Sequence, residues 1–190
     1  MHRIYDVAGD TVMPSGHKVP KDPWLAEHYD VWSRIEVSDY IYKFLADIID
    51  AIVEAKPKVI GMSIQECNEN VSRRIARVLT AKIPGLIIVV GGFSCYNANI
   101  GLKAFPMAQY MCIGEADLTI GDLVKKLSQG EKPKDLPGIV SVYDTPKRFF
   151  IPAPMENNLD KLEDPRYEWF PLRIYRNWDG YQLTPVIASR

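Results

Sequence analysis

Three short segments combine residue types that could hold a ligand against main-chain atoms: Ser63-Ile64-Gln65, Gly91-Gly92-Phe93 and Gly114-Glu115. Each follows a run of apolar residues and brings a hydroxyl, a carboxamide, a carboxylate or a glycine. Because glycine has no β-carbon, a flat or bulky ligand can approach the backbone there, and amide N–H groups stay free to donate hydrogen bonds. These eight residues form the candidate binding site, and none of them is predicted to be catalytic.

Each segment also has a structural interpretation. Gly91 and Gly92 could be ordinary turn glycines between a strand and a helix, and Ser63 could satisfy a backbone group. Gly114-Glu115 could begin the next helix, where a carboxylate near the N-terminus is favourable. Phe93 could stack on a ligand or fill the core. The sequence leaves these alternatives open.

The cysteines show no spacing typical of a metal or redox site. Cys67, Cys95 and Cys112 are odd in number and too far apart for a Cys-x-x-Cys motif, so we expect reduced, buried thiols. Cys67 closely follows an apolar run and could face a ligand, but a small inert side chain is the expected interpretation. The sequence assigns no metal ligand.

Composition excludes several classes of function. The 190 residues are 47% hydrophobic and 25% charged, as in ordinary globular proteins, and 23 Lys and Arg against 24 Asp and Glu give a net charge of -1. No basic stripe suited to nucleic acid is present. No apolar stretch approaches the roughly 20 residues of a membrane span, and the N-terminus lacks the apolar region of a signal peptide. We therefore predict a cytoplasmic protein with no nucleic-acid or membrane partner.

Hydrophobic periodicity predicts the elements that position the three segments. Apolar residues at helical spacing from Ser38 predict one helix that Ser38 caps and Pro57 follows: Ile41, Phe44, Leu45, Ile48, Ile49, Ile52 and Val53. "KVIGMSI", "LIIVVGG" and "QYMCIG" are typical of strands buried on both faces. Helices are predicted in "VSRRIARVLTAKIPG", more weakly in "NANIGLKAF", and in "DLTIGDLVKKLSQG", which Asp117 would cap and Gly130 would close.

The alternation of strands and helices predicts an α/β fold: a doubly wound, flavodoxin- or Rossmann-like, mainly parallel sheet. "GIVSVYD" and "RFFIP" predict a hairpin at its edge. In such sheets ligands bind beyond the carboxyl ends of the strands, near a reversal of strand order. The three segments would all fall along the edge formed by those carboxyl ends. We assign residues 1–37 to an irregular N-terminal segment, 38–152 to the α/β domain and 153–190 to a linker, and expect residues 167–190 to lack a core of their own.

From about Lys58 onward, the sequence resembles the cobalamin-binding domain that precedes the catalytic barrel of cobalamin-dependent radical S-adenosylmethionine enzymes. The segments carrying the resemblance run from "VIGMSIQECNENVSRRIARVL" through "IIVVGGFSC" to "YMCIGEADLTIGDLVKKL". "NLDKLEDPRYEWF" resembles the interdomain linker of that family. "TPVIASR" resembles the first barrel strand, which there runs into a Cys-x3-Cys-x2-Cys cluster motif.

The resemblance implies a binding role for the candidate residues. In the wider cobalamin fold, a Ser-x-Leu and a Gly-Gly line the slot for the dimethylbenzimidazole tail; Ser63, with Gln65 in place of Leu, and Gly91-Gly92 match them. A thiol–cobalt contact from Cys67 can be imagined beside the inert interpretation. No Asp-x-His-x-x-Gly motif occurs, so His2, His17 and His28 are not expected to be the lower cobalt ligand.

The resemblance also implies cofactors and a partner beyond this chain. An iron–sulfur cluster and S-adenosylmethionine would belong to the radical barrel of the same polypeptide, often a methyltransferase, and this chain would catalyse nothing alone. "RIYDV" resembles the family's second strand and the first has no counterpart, so we expect a fragment cut at both ends. Two alternatives remain: a scaffold or interaction domain of the same family without cobalamin, and a flavodoxin-like or nucleotide-binding enzyme, which lacks its Gly-x-Gly-x-x-Gly or Walker motif.

Overall fold

The computed structural model describes residues 12–16, 18–20, 26–97, 101–146, 149–162, 166 and 168. Its contacts divide the chain into a unit of residues 1–155 and a unit of residues 156–190. In the second unit the described regular element is the 3-10 turn Leu159–Lys161. The expectation that residues 167–190 lack a core lies outside the described residues, apart from residue 168.

Four strands of the first unit form one sheet. They are β1 (Val59–Ser63), β2 (Ile87–Gly91), β3 (Tyr110–Cys112) and β4 (Ile139–Ser141), and their spatial order is β1-β2-β3-β4. β1, β2 and β3 are parallel, and β4 runs antiparallel to β3. This confirms the predicted, mainly parallel sheet and all three predicted parallel strands. Among the described strands the spatial order follows the chain without reversal.

Helices cover both faces of the sheet, as a doubly wound fold requires. α3 (Ala46–Ala55) and α4 (Glu69–Lys82) pack on the face formed by Ile88 and Val90. α5 (Ile120–Ser128) packs on the opposite face against Val89 and Tyr110. Consecutive β2 residues point to opposite faces, so the unbroken apolar run "IIVV" fits a strand that is buried on both sides.

The prediction of one helix from Ser38 to Pro57 is wrong, because two helices occupy this region. α1 (Tyr29–Trp32) precedes α2 (Ile35–Tyr42), and the chain then turns before α3 begins at Ala46. Ser38 lies inside α2 and is buried, so it caps nothing. α2 and α3 serve different clusters, since Ile41 packs with Trp32 and Cys67, whereas Ile49 belongs to the main core. One straight helix could not bury Ile41 in the first of these clusters and Ile49 in the main core.

Three smaller predictions also differ from the structure. In "NANIGLKAF" the described residues form a 3-10 turn, Gly101–Ala104, and residues 98–100 lie outside the description. α5 begins at Ile120 with Thr119 at the N-cap position, so Asp117 is too early to cap it. No strand occurs at residues 149–152, where one backbone hydrogen bond of 2.7 Å, from Gly138 N–H to Ile151 O, replaces the second arm of the hairpin.

No helix within the described residues is long and apolar enough to cross a membrane.

Candidate binding site at the carboxyl edge of the sheet

The carboxyl ends of β1, β2 and β3 lie at one edge of the sheet. Ser63 is the register partner of Gly91, and Val90 is the partner of Met111 on β3. A β-carbon built on Gly91 would lie 3.5 Å from Cys112 Cβ, which is an ordinary contact. Gly114 follows β3 by two residues. The structure therefore places all three predicted segments at the same edge.

The first two segments are tied together by main-chain hydrogen bonds. Ile64 N–H donates to Gly91 O at 2.7 Å, and Ser94 N–H donates to Ile64 O at 3.1 Å. The Ile64 side chain is buried in the main core. Both main-chain groups and the side chain of Ile64 are thus committed within the protein, and its role at this edge is to join the two loops.

Gly92 is required by the contact between these loops. Its φ of +102° is one that side-chain-bearing residues rarely adopt, and a β-carbon there would lie 2.8 Å from Ile64 O and 2.9 Å from Ser63 Oγ. The sequence suggested that the glycine pair leaves a slot for a ligand between the strands ending at Ser63 and Gly91. In the structure, atoms of residues 63 and 64 fill the space in front of Gly92.

Asn68 holds the loop after β1, and sequence reasoning missed it. It ends the 3-10 turn Glu66–Asn68 that follows Gln65. Its Oδ1 accepts a hydrogen bond from Gln65 N–H at 2.9 Å, and its Nδ2 donates to Ser63 O at 3.1 Å. The signal that could have identified it is the Gln-x-x-Asn spacing, since a polar side chain three residues after an N-cap residue reaches back to its amide.

The three cysteines are buried and unpaired, which confirms the expectation from their spacing. Cys67 packs in a cluster with Trp32, Val37 and Ile41, and burial raises the pKa of its thiol. Burial likewise raises the pKa of Cys95 and of Cys112 to about 11, with a smaller contribution to Cys95 from the charge of Cys112. A raised pKa disfavours the thiolate, so Cys67 has the environment of an inert thiol.

The edge also has an exposed aromatic surface, which begins at the outer side of the second joined loop. The Phe93 side chain is 87% exposed and that of Tyr96 is 74% exposed, so Phe93 does not fill the core. Gly114 has a φ of +77°, and among the described residues no atom lies within 4 Å of a β-carbon built there. Glu115 is partly buried. Exposed aromatic rings beside accessible backbone form a surface suited to a flat ligand.

No described group of three or more His, Cys, Asp or Glu residues could hold a metal ion. His28 lies in the 3-10 turn Ala26–His28, with its Nε2 3.7 Å from Glu27 Oε1. His2 and His17 fall outside the described residues. The described residues of the edge itself include hydroxyl, carboxamide and carboxylate groups but no histidine.

Comparison with known proteins finds distant relatives and no matching family model. The chain is 24% identical over 146 residues to an uncharacterized methyltransferase of Pyrococcus horikoshii, covering 76% of this chain and 32% of that protein. It is 26% identical over 148 residues to the anaerobic magnesium-protoporphyrin IX monomethyl ester cyclase of Synechocystis, covering 76% of this chain and 30% of that protein. The chain thus spans about a third of the length of these relatives. It is an α/β domain distantly similar to a methyltransferase and to a cyclase.

Proposed function

We propose that this chain is the cobalamin-binding module of a radical S-adenosylmethionine enzyme, either a methyltransferase or an enzyme of related radical chemistry. The named relatives, a methyltransferase and a cyclase, support an enzyme of this kind. The module would bind and orient the cofactor. The barrel of the same polypeptide would hold the iron–sulfur cluster and S-adenosylmethionine.

The observation that carries this proposal is the open aromatic part of the carboxyl edge. Phe93 and Gly114 follow the adjacent parallel strands β2 and β3, at the edge where open α/β sheets bind ligands. A corrin is broad and flat, so it needs apolar surface and backbone that it can approach closely. The exposed ring of Phe93 offers the first, and the free space at Gly114 offers the second.

The residues at this edge fit a cobalamin in the open part and not between Gly92 and Ser63. The ring of Phe93 would contact the corrin, and Gly114 and Glu115 would contact its polar side groups. Placing the tail between the first two loops would require breaking the bonds that Ile64 makes to Gly91 and Ser94. When bound, the cofactor supplies a cobalt centre that can carry a methyl group, and the residues of this chain supply binding and orientation.

One observation favours a second candidate, a scaffold domain of the same family without cobalamin. The Gly-Gly pair, which resembles a tail-binding motif, is explained by the protein's own contact at Gly92. A doubly wound sheet does not by itself determine a ligand.

The two candidates are separated by a titration of the 190-residue chain with hydroxocobalamin, followed by desalting and a visible spectrum. The wild type is expected to retain the cofactor. Phe93→Ala removes one stacking ring, so we expect about tenfold weaker binding with an unchanged melting temperature.

Val142→Ala is the matched control, because Val142 is 57% exposed and its N–H donates to Gln109 O at the amino end of β3, the opposite edge of the sheet. It should bind as the wild type does. A well-folded wild type that retains no cobalamin would establish the scaffold candidate instead. Equal losses in the two variants would show that Phe93 does not contact the cofactor.

A further inference from the structure

The outer side of β1 shows how the loop at the carboxyl edge is held. Lys58 O accepts from Ile87 N–H, and Ile64 N–H donates to Gly91 O. The main-chain N–H and C=O groups of the even-numbered residues in and beside β1 therefore point toward β2. Main-chain groups of alternate residues in a strand point to opposite sides. Ser63 O and Gln65 N–H therefore face away from β2, toward the outer edge of the sheet.

Asn68 satisfies both of these outward-facing groups with one carboxamide. Its Nδ2 donates to Ser63 O at 3.1 Å, and its Oδ1 accepts from Gln65 N–H at 2.9 Å. A residue of a neighbouring parallel strand would offer the same donor and the same acceptor to residues 63 and 65. The side chain thus takes the place of a strand residue at the point where β1 ends.

The turn that carries Asn68 is itself anchored from behind. Cys67 packs among the apolar residues of α1 and α2, and Asn70 Nδ2 donates to Ser33 O at the end of α1. The Ser72 hydroxyl lies 3.5 Å from Asn68 Oδ1. The carboxamide of Asn68 is therefore held by its own turn and, through that turn, by the N-terminal helices.

We propose that Asn68 is a positioning residue: it sets the conformation of Ser63–Gln65 and thereby presents the Ser63 hydroxyl to a ligand at the carboxyl edge. The proposal deepens the proposed function and rests on it for the identity of the ligand. The Gln65 side chain accepts from the backbone N–H of Asn68 and so helps to hold the turn, whereas Ser63 is exposed at this edge.

Asn68→Asp tests the hydrogen bonds with almost no change of shape. At neutral pH the introduced carboxylate still accepts from Gln65 N–H, but it faces Ser63 O with a negative oxygen instead of a donor. Protonation restores a donor at that position. Glu66 and Glu69, in the same turn and at the start of α4, favour the protonated form through like-charge repulsion, whereas Gln65 N–H and the N-terminus of α4 favour the carboxylate. Recovery should follow the protonation of this carboxyl, whose pKa is measured in the variant by NMR.

Gln109→Glu is the matched control, because it makes the same change from carboxamide to carboxylate at the amino end of the sheet. Gln109 Oε1 accepts from Ile88 N–H at 2.8 Å and its Nε2 donates to Met107 O at 3.3 Å, so its bonds do not involve the loop of residues 63–65. Asn68→Ala is the second variant, since it removes both bonds at every pH. Melting curves verify that all three variants fold.

The first measurement is amide hydrogen exchange in the free protein at pH 7. Asn68→Ala should accelerate exchange at Gln65 by about tenfold and leave Val90, in the centre of the sheet, unchanged. The second is the ratio of variant to wild-type hydroxocobalamin dissociation constants at pH 7 and at a pH below the measured pKa of the introduced carboxyl. For Asn68→Asp we expect about ten at pH 7 and a fall toward one at the lower pH. The ratio for Gln109→Glu should stay near one, and that for Asn68→Ala should stay high.

Unchanged exchange at Gln65 in Asn68→Ala would overturn the proposal, whatever the cofactor does. So would wild-type affinity of Asn68→Asp at pH 7, or a loss of affinity that does not recover on protonation. If the wild type binds no cobalamin while Asn68→Ala accelerates exchange at Gln65, the proposed function fails and the assignment of Asn68 as the residue that sets the loop is supported on its own.

Discussion

Two halves of the same sheet edge use glycine for opposite reasons. In the joined half, Gly92 lets two loops touch, and main-chain bonds from Ile64 lock them together. In the open half, Gly114 has a left-handed backbone and free space around it. A glycine that follows a strand therefore indicates either a closed contact or an accessible surface, and the structure is needed to tell which.

Among the substitutions that test this difference between the two halves, we expect the largest loss of stability at Gly92. Gly92→Ala would place a β-carbon within 2.9 Å of main-chain and hydroxyl atoms at a φ of +102°. Backbone atoms cannot move aside as a flexible side chain can, so we expect the free energy of unfolding to fall by about 3 kcal/mol. Urea denaturation monitored by circular dichroism measures this loss.

Gly91→Ala is the control for that measurement. A β-carbon at this position meets Cys112 Cβ at 3.5 Å and needs no unusual φ. Its free energy of unfolding should stay within about 0.5 kcal/mol of the wild type. Equal losses at positions 91 and 92 would contradict the account of a joined half held by close contact.

The reactivity of the buried cysteines tests whether solvent reaches the core beneath the open half. Cys95 follows the joined loop and Cys112 ends β3, and burial raises the pKa of both to about 11. At pH 8 each thiolate is then about a hundredfold rarer than in the unfolded chain, so iodoacetamide should label the native protein about that much more slowly. Mass spectrometry of peptides from native and urea-unfolded samples gives the two rates.

The same shifts predict how stability depends on pH. The folded state keeps the thiol protons to higher pH than the unfolded state does, so the stabilisation is intact below about pH 9 and is lost as pH rises from there toward 11. Urea midpoints at pH 8 and pH 10.5 should show this loss of stability, and the loss should be smaller in Cys112→Ala.

The labelling experiment can contradict the comparison of the two halves. Rapid iodoacetamide labelling of Cys112 but not of Cys95 in the native protein would mean that the open half extends into the core.

The smallest of these effects is expected at Gly114. Gly114→Ala keeps a φ of +77° but meets no atom of the described part of the chain within 4 Å. Only the backbone preference opposes it, so the free energy of unfolding should fall by about 1 kcal/mol. A loss as large as that of Gly92→Ala, measured by the same urea titration, would remove the distinction between the halves.

Much of the fold could be predicted because periodicity reports burial. The parallel strands were found from apolar runs such as "LIIVVGG", whose residues are buried on both faces. The break between α2 and α3 could not be found in this way. Ile41 and Ile49 continue one helical period, and only the packing of each into its own cluster shows that the chain must turn between them.

The candidate site was predicted less completely than the sheet. The fold rule places strand ends at one edge, so the position of Ser63, Gly91 and Gly114 followed from the strands. The contact that fills the space at Gly92 depends on the path of two loops distant in sequence. Asn68 was missed because its role depends on which main-chain groups of β1 face outward, which is fixed by pairing with β2.

The agreement between strand order and chain order has a consequence for how the domain is made. In the described sheet, β1, β2, β3 and β4 each lie beside the strand that precedes or follows them in the chain. Each newly synthesised strand can therefore dock on one that has already left the ribosome, and the loops closed are shorter than if pairing skipped a strand. The sheet can grow in one direction during synthesis, so its carboxyl edge is assembled from Ser63 toward Gly114.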